Sequence, residues 1–165
     1  KAASIGNQIA QYNLGVEYYE GKNIKKDYKV ALDWFIKAAD NGYLSADKYI
    51  VNIYGDLGGR GISSSKYIQS LKRLSDNGES VAQLKLAAEY IEGKIVSKDS
   101  KLAFELYKNL AEKGDKYAQL TLGGLYLIGD GCNANASEAK KWFEKAAKQN
   151  VPEAKEALVY MNMLL

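Results

Sequence analysis

The chain of 165 residues has no histidine, a single cysteine, a single proline and only two arginines. Each shortage closes a class of function. Without histidine there is no imidazole general base, no histidine metal ligand and no serine or cysteine triad of the usual kind. Cys132 has no second cysteine with which to form an internal disulfide and no histidine to activate it, so it reads as a semi-buried loop thiol. No apolar run reaches the roughly 18 residues needed to span a bilayer. The near-absence of proline, with 47% hydrophobic and 26% charged residues, suits a helical chain. A dominant charge is missing too. The 23 basic and 20 acidic residues are scattered, so the net +3 describes a solvated surface and not a nucleic-acid-binding block.

What the chain does have is a period. Tyr18, Tyr54, Tyr90 and Tyr126 follow one another at 36 residues, as do Ala10, Ala46, Ala82, Ala118 and Ala154. Leu14, Ile50, Leu86, Leu122 and Leu158 keep the step, and so do Gly6, Gly42, Gly78 and Gly114. Self-similarity at one period is the signature of a stacked array in which each unit contacts its neighbours. The organisation expected is the tail of an upstream repeat (1–8), repeats at 9–44, 45–80, 81–116 and 117–152, and the first helix of a fifth (153–165). Because Lys1-Ala2-Ala3 with Gly6 matches Lys37-Ala38-Ala39 with Gly42, a longer array upstream is expected.

Within a repeat, Ala10, Leu14 and Tyr18 fall on one helical stripe. Gly15 and its counterparts Val51, Ala87 and Gly123 are mostly small and predict close helix approach. Gly21, Gly93 and Gly129 end the first helix. Asp27, Ser63, Asp99 and Asn135 are N-cap residue types at the start of the second. Gly42, Gly78, Gly114 and Asn150 are residues that tolerate a left-handed helix end. The pattern predicts helix pairs over 9–20 and 27–41, 46–54 and 64–77, 82–92 and 99–113, and 118–128 and 137–149. A ninth helix begins at Pro152. The second repeat departs most, with an irregular connector over 55–65 and Leu74-Ser75 in place of two alanines.

The pattern Ala10, Leu14-Gly15, Tyr18, Gly21, Asp27, Ala31, Trp34-Phe35, Lys37-Ala38-Ala39 and Gly42 resembles the Sel-one-like repeat family, relatives of tetratricopeptide repeats. The resemblance implies an all-α fold, a right-handed superhelical solenoid of antiparallel helix pairs, and an adaptor or scaffold function without catalysis. Many bacterial members of the family work in the envelope or at the host interface, and some eukaryotic members in membrane-protein quality control. A bacterial, virulence-associated setting at the envelope, in the periplasm or secreted is the expectation, and a structural spacer within a larger envelope protein is the other reading. The cysteine pairs that brace some secreted relatives are missing here.

No catalytic, metal-binding or cofactor-binding residue is expected. Glu89, Glu92 and Asp56 read as solvated helix charges. The glycine-rich stretch 58–66 lacks phosphate-loop spacing and reads as a connector in which Arg60 could contact an anion. Lysines interleaved with tyrosines are too general here to indicate single-stranded nucleic acid. By analogy with tetratricopeptide arrays, first helices line a concave face. On that basis Tyr12, Asn13, Tyr19, Lys48, Tyr49, Asn52 and Lys85 form the expected strip for a protein or peptide ligand. Leu84, Leu120 and Leu127 share the face and read better as packing residues. An uncapped array end makes end-to-end self-association a further expectation.

Overall fold

The structure is a computed structural model that describes residues 6–60 and 63–163. Among the described residues there are nine α-helices and no strand. They are α1 (Gln8–Glu20), α2 (Tyr28–Asp40), α3 (Leu44–Asp56), α4 (Ser64–Asp76), α5 (Ser80–Glu92), α6 (Ser100–Glu112), α7 (Lys116–Ile128), α8 (Ala136–Lys148) and α9 (Pro152–Met163). The chain is an all-α repeat fold. Two compact units divide it, Lys1–Glu79 and Ser80–Leu165. In the first, α1 packs on α2, α2 on α3 and α3 on α4; in the second, each helix from α5 to α9 packs on the next.

The helix ends follow from local chemistry. Asp27 accepts from the backbone N–H groups of Lys29 and Val30, Asp99 from Leu102, and Asn135 from Glu138. Ser63 makes no such bond, contrary to the expectation for the second repeat. Its hydroxyl is hydrogen-bonded instead to the Ser65 hydroxyl, 2.7 Å away. Two caps on first helices went unforeseen: Asn7 accepts from Ala10, and Asp115 from Tyr117 and Ala118. Gly42, Gly78, Gly114 and Asn150 all take positive φ, as do Gly21, Gly93 and Gly129. The connector of the second repeat starts later than expected, because α3 continues through Gly55 to Asp56. Leu57 then closes the helix at φ −90, and Gly58 and Gly59 supply the left-handed turn. Residues 1–5 of the upstream tail expected over 1–8, positions 61–62 of the connector and residues 164–165 of the fifth unit lie outside the described residues.

Small residues decide how closely the paired helices approach. A Cβ on Gly15 would lie 2.7 Å from the Phe35 ring, and one on Gly123 would lie 2.6 Å from the Phe143 ring. Phe35 is fully buried, which stabilises the fold by about 1.5–3 kcal/mol relative to an exposed ring. Around it the first unit buries Ala31, Ala38, Ala39, Ala46, Ile50 and Ile53. The second unit's largest cluster joins Phe104, Tyr107, Leu110, Leu122, Leu125 and Trp142.

A polar position sits next to the repeated alanine: Gln11, Asp47 and Gln119 are buried there and Gln83 is half-buried. Gln119 shows its task. Its Nε2 donates to the Ala111 carbonyl at 3.1 Å, near the end of α6, while Gln149 Nε2 donates to its Oε1 at 2.8 Å. Asp47 cannot donate from a carboxylate, and the chain compensates with Arg73. The guanidinium is 3.0–3.1 Å from Asp47 Oδ1 and donates from another nitrogen to the Ala39 carbonyl at 3.2 Å. Ala39 and Ala111 occupy the same repeat position, so an acid–arginine pair does in the second repeat what one glutamine does in the fourth.

Candidate functional site

The first unit gathers its tyrosines on α1, α3 and the segments beside them. Tyr12 and Tyr19 stand two turns apart on α1, so both project from the same side of that helix. Tyr49 of α3 lies between them, with ring centroids 5.7 Å from Tyr12 and 5.1 Å from Tyr19. Phe35 of α2 lies beneath, stacked on Tyr49 at 4.4 Å and tilted against Tyr12 at 5.9 Å. Tyr43 extends the row beyond Tyr12 at 4.8 Å, and Tyr28 extends it beyond Tyr19 at 5.2 Å. The outcome is a row of five partly buried tyrosines, Tyr43–Tyr12–Tyr49–Tyr19–Tyr28, over a buried phenylalanine.

Burial sets the protonation of these rings. It raises the Tyr12 hydroxyl to a pKa of about 12, with the Tyr49 hydroxyl bond adding to the effect. Tyr19 is raised as well, by burial first and then by the negative charge of Asp56. Both hydroxyls stay protonated near neutral pH; that of Tyr12 is engaged with the Tyr49 hydroxyl. Lys26 lies over the Tyr28 ring at 4.6 Å and over Tyr19 at 5.7 Å.

The remaining residues named from sequence are placed as follows. Asn13 is exposed on α1, and Lys48 and Asn52 are exposed on α3. Lys48 pairs with Glu79 at 2.7 Å. Asn52 is one turn from Tyr49, on the same side of the helix. Lys85 is exposed on α5, in the second unit. Arg60 is exposed in the turn that follows α3. Leu84 and Leu120 pack against the core of the second unit, whereas Leu127 is 44% exposed. Cys132 is partly buried, its thiol directed at the Leu125 carbonyl 3.7 Å away, and burial pushes its pKa up. That thiol is a poor nucleophile.

Sequence reasoning missed Tyr28, Tyr43, Lys26 and Asp56 as members of the cluster. A signal existed. At the repeat positions of Tyr28 and Tyr43 the other copies carry Ser64, Ser100 and Ala136, and Glu79, Asp115 and Val151. A tyrosine peculiar to one repeat cannot be serving the common repeat architecture. Comparing copies column by column would have flagged both.

No described helix is long and apolar enough to cross a membrane. A family model described as the Sel1 repeat matches residues 8–43, 80–115 and 116–151. The chain is 35% identical over 157 residues to the chitin synthase regulator SKT5 of Saccharomyces cerevisiae, covering 89% of this chain and 22% of that protein. It spans less than a quarter of the curated relatives it matches over most of its length, among them a putative sel1-like repeat-containing protein of Acanthamoeba polyphaga mimivirus that is 30% identical over 101 residues (59% of this chain and 17% of that protein). Among solved structures it is similar to a protective antigen of uropathogenic Escherichia coli with an SLR fold (TM-score 0.74, 31% identity, 96% of this chain and 34% of that one). A Sel1 repeat protein of Oxalobacter formigenes gives a TM-score of 0.70 at 30% identity, over 94% of this chain and 64% of that one.

Proposed function

The chain belongs to the Sel1 repeat family, and on that footing we propose that it is a non-enzymatic scaffold that binds a protein or peptide over the tyrosine row of α1 and α3. Sel1 repeat proteins are generally protein–protein interaction scaffolds. The observation that carries the assignment of the surface is the row itself. Five tyrosines gather on one side of the first unit, where Tyr28 and Tyr43 have no counterpart in the other repeats. Tyrosine is a frequent anchor in interfaces, because its ring contributes contact area and its hydroxyl a directed bond. Half-burial by Phe35 and by neighbouring rings holds these side chains in place, which lowers the entropy lost on binding. Asn13, Lys48 and Asn52 supply exposed polar groups on the same two helices.

The relatives come from a yeast, an amoebal virus and bacteria. The scaffold reading therefore rests on repeat chemistry, independently of an envelope or host setting. A spacer role within a larger protein is the competing reading, and one experiment separates the two. The purified chain serves as bait in a lysate of its source cells beside two variants, Tyr12→Phe/Tyr19→Phe and the α8 control Lys141→Ala. A scaffold of the proposed kind captures a partner that the tyrosine variant loses and the lysine variant keeps. Equal capture by all three, or capture by none, contradicts the proposal.

A further inference from the structure

The occupant of the tyrosine row can be narrowed by what the first unit lacks. Peptides are recognised in a few recurring ways. Strand addition needs a sheet edge, and the described residues contain no strand. Capture of a phosphorylated motif needs clustered arginines, but this chain has two, and Arg73 is committed to Asp47 and the Ala39 carbonyl. Docking of an amphipathic helix needs an exposed aliphatic stripe. In the first unit, Ile9 is the single large hydrophobic residue exposed among those described. Recognition of a polyproline II segment uses aromatic rings with hydrogen-bond donors beside them, and the row offers both, with Tyr49 set edge-on to Tyr12 at 71° and to Tyr19 at 82°.

Resting on the scaffold reading above, we infer that the ligand is a proline-rich segment in polyproline II conformation with a basic residue beside its prolines. Spacing favours it. Tyr12 and Tyr19 are seven residues apart on α1, about 10.5 Å along the axis. A polyproline II chain repeats its face every three residues, about 9.3 Å. Successive prolines on one face can thus rest on the Tyr12 and Tyr19 rings, with Tyr49 filling the space between them, against side chains that are already packed and lose little freedom. The backbone carbonyls of such a segment have no internal partners, and the protonated tyrosine hydroxyls can donate to them. Charge supports the basic flank. Asp56 is exposed and acts on Tyr19, and Glu20 acts on Tyr12. Glu20 is already paired with Lys22, whereas Asp56 has no ion pair within salt-bridge distance among the described residues and only the more distant field of Lys26 against it, so it is the carboxylate that faces the ligand.

The test uses the full chain and three fluorescent peptides. One is decaproline with a lysine at each end, the second is a glycine–serine peptide of the same length with the same lysines, and the third is decaproline without lysines. Fluorescence anisotropy should show the first binding at least about tenfold more tightly than the second. The Tyr12→Phe/Tyr19→Phe variant, which keeps both rings and so the packing on Phe35, should lose about tenfold for both proline peptides while its melting curve shows it fully folded at the assay temperature. Asp56→Asn should weaken the lysine-flanked peptide and leave the uncharged one unchanged. Equal affinity for the proline and glycine–serine peptides overturns the inference, and so does proline binding that the tyrosine variant does not affect. If no proline peptide binds while the lysate partner is still captured through the tyrosines, the proline assignment is wrong and the scaffold reading stands. If the tyrosine variant also captures that partner unchanged, both fall.

Discussion

Replacing Arg73 with leucine tests whether the Asp47–Arg73 pair stands in for a glutamine. The Asp47 side chain is 1% exposed and that of Arg73 is 28% exposed. Arg73→Leu leaves a carboxylate buried without its counter-charge and deprives the Ala39 carbonyl of a donor. Breaking a buried pair from one side costs about 3–5 kcal/mol. The partial exposure of the guanidinium puts the expected loss at the lower end, about 3 kcal/mol. Adding Asp47→Gln recreates the residue that reaches the Ala111 carbonyl in the fourth repeat, and it should restore at least about half of the loss. The pH dependence gives a second reading. Burial raises the Asp47 carboxyl above its ordinary value, while Ser70 and Arg73 pull it down. The native state therefore holds its proton more tightly than the unfolded chain does. This group's contribution to stability is greatest below the ordinary carboxylate pKa and falls as pH rises through the raised one. Loss of Arg73 raises the carboxyl further, so the penalty should be full at neutral pH and shrink as the pH falls into the carboxylate range and Asp47 protonates in both proteins. Urea unfolding followed through Trp34, in a Trp142→Phe background, reads the first unit alone. A penalty that is independent of pH, or that Asp47→Gln fails to relieve, would refute the reasoning.

Adjacent glycines of α7 should respond with opposite sign. Gly123→Ala forces a methyl against the Phe143 ring and should destabilise by about 1–3 kcal/mol, whereas Gly124, with nothing near its absent Cβ, should gain up to about 1 kcal/mol as alanine; thermal unfolding of the two variants checks this. Asp99→Ala should cost about 1 kcal/mol through loss of its bond to Leu102, but Ser63→Ala close to nothing because Ser63 caps nothing by its side chain. Cys132 should react with a disulfide reagent near pH 8 more slowly than a free cysteine peptide, since its raised pKa leaves less thiolate, and unfolding in urea should abolish the difference.

The helices were legible because the period is long, uninterrupted and written in residues with definite local roles. Glycines and Asn150 at φ above zero, and three of four N-caps, could be named from residue type alone. The ends of α3 were less legible, because Gly55 reads as a breaker but serves as the last turn of a helix closed by Leu57. Tyr12, Tyr19 and Tyr49 could be named as candidates because the analogy with tetratricopeptide arrays assigns the ligand face to these positions of the first helices. Helical periodicity does not flag Tyr28 and Tyr43, which join the row from the start of α2 and from the residue before α3; only the comparison of repeat columns does. The Asp47–Arg73 pair was hidden for a similar reason. Its partners are 26 residues apart, and the meaning of the acid emerges only when the carbonyl it serves is known.

The account stands most directly on whether the tyrosine row is the contact surface, and ring resonances report that residue by residue. The chain is prepared with labelled tyrosine, assigned by single Tyr→Phe variants, and titrated with the partner recovered by the bait. The account predicts that Tyr12, Tyr19 and Tyr49 shift together and saturate at one ratio, while Tyr117 and Tyr160, exposed in the second unit, stay in place. Shifts confined to Tyr117 or Tyr160, or no tyrosine shift at saturating partner, would contradict it.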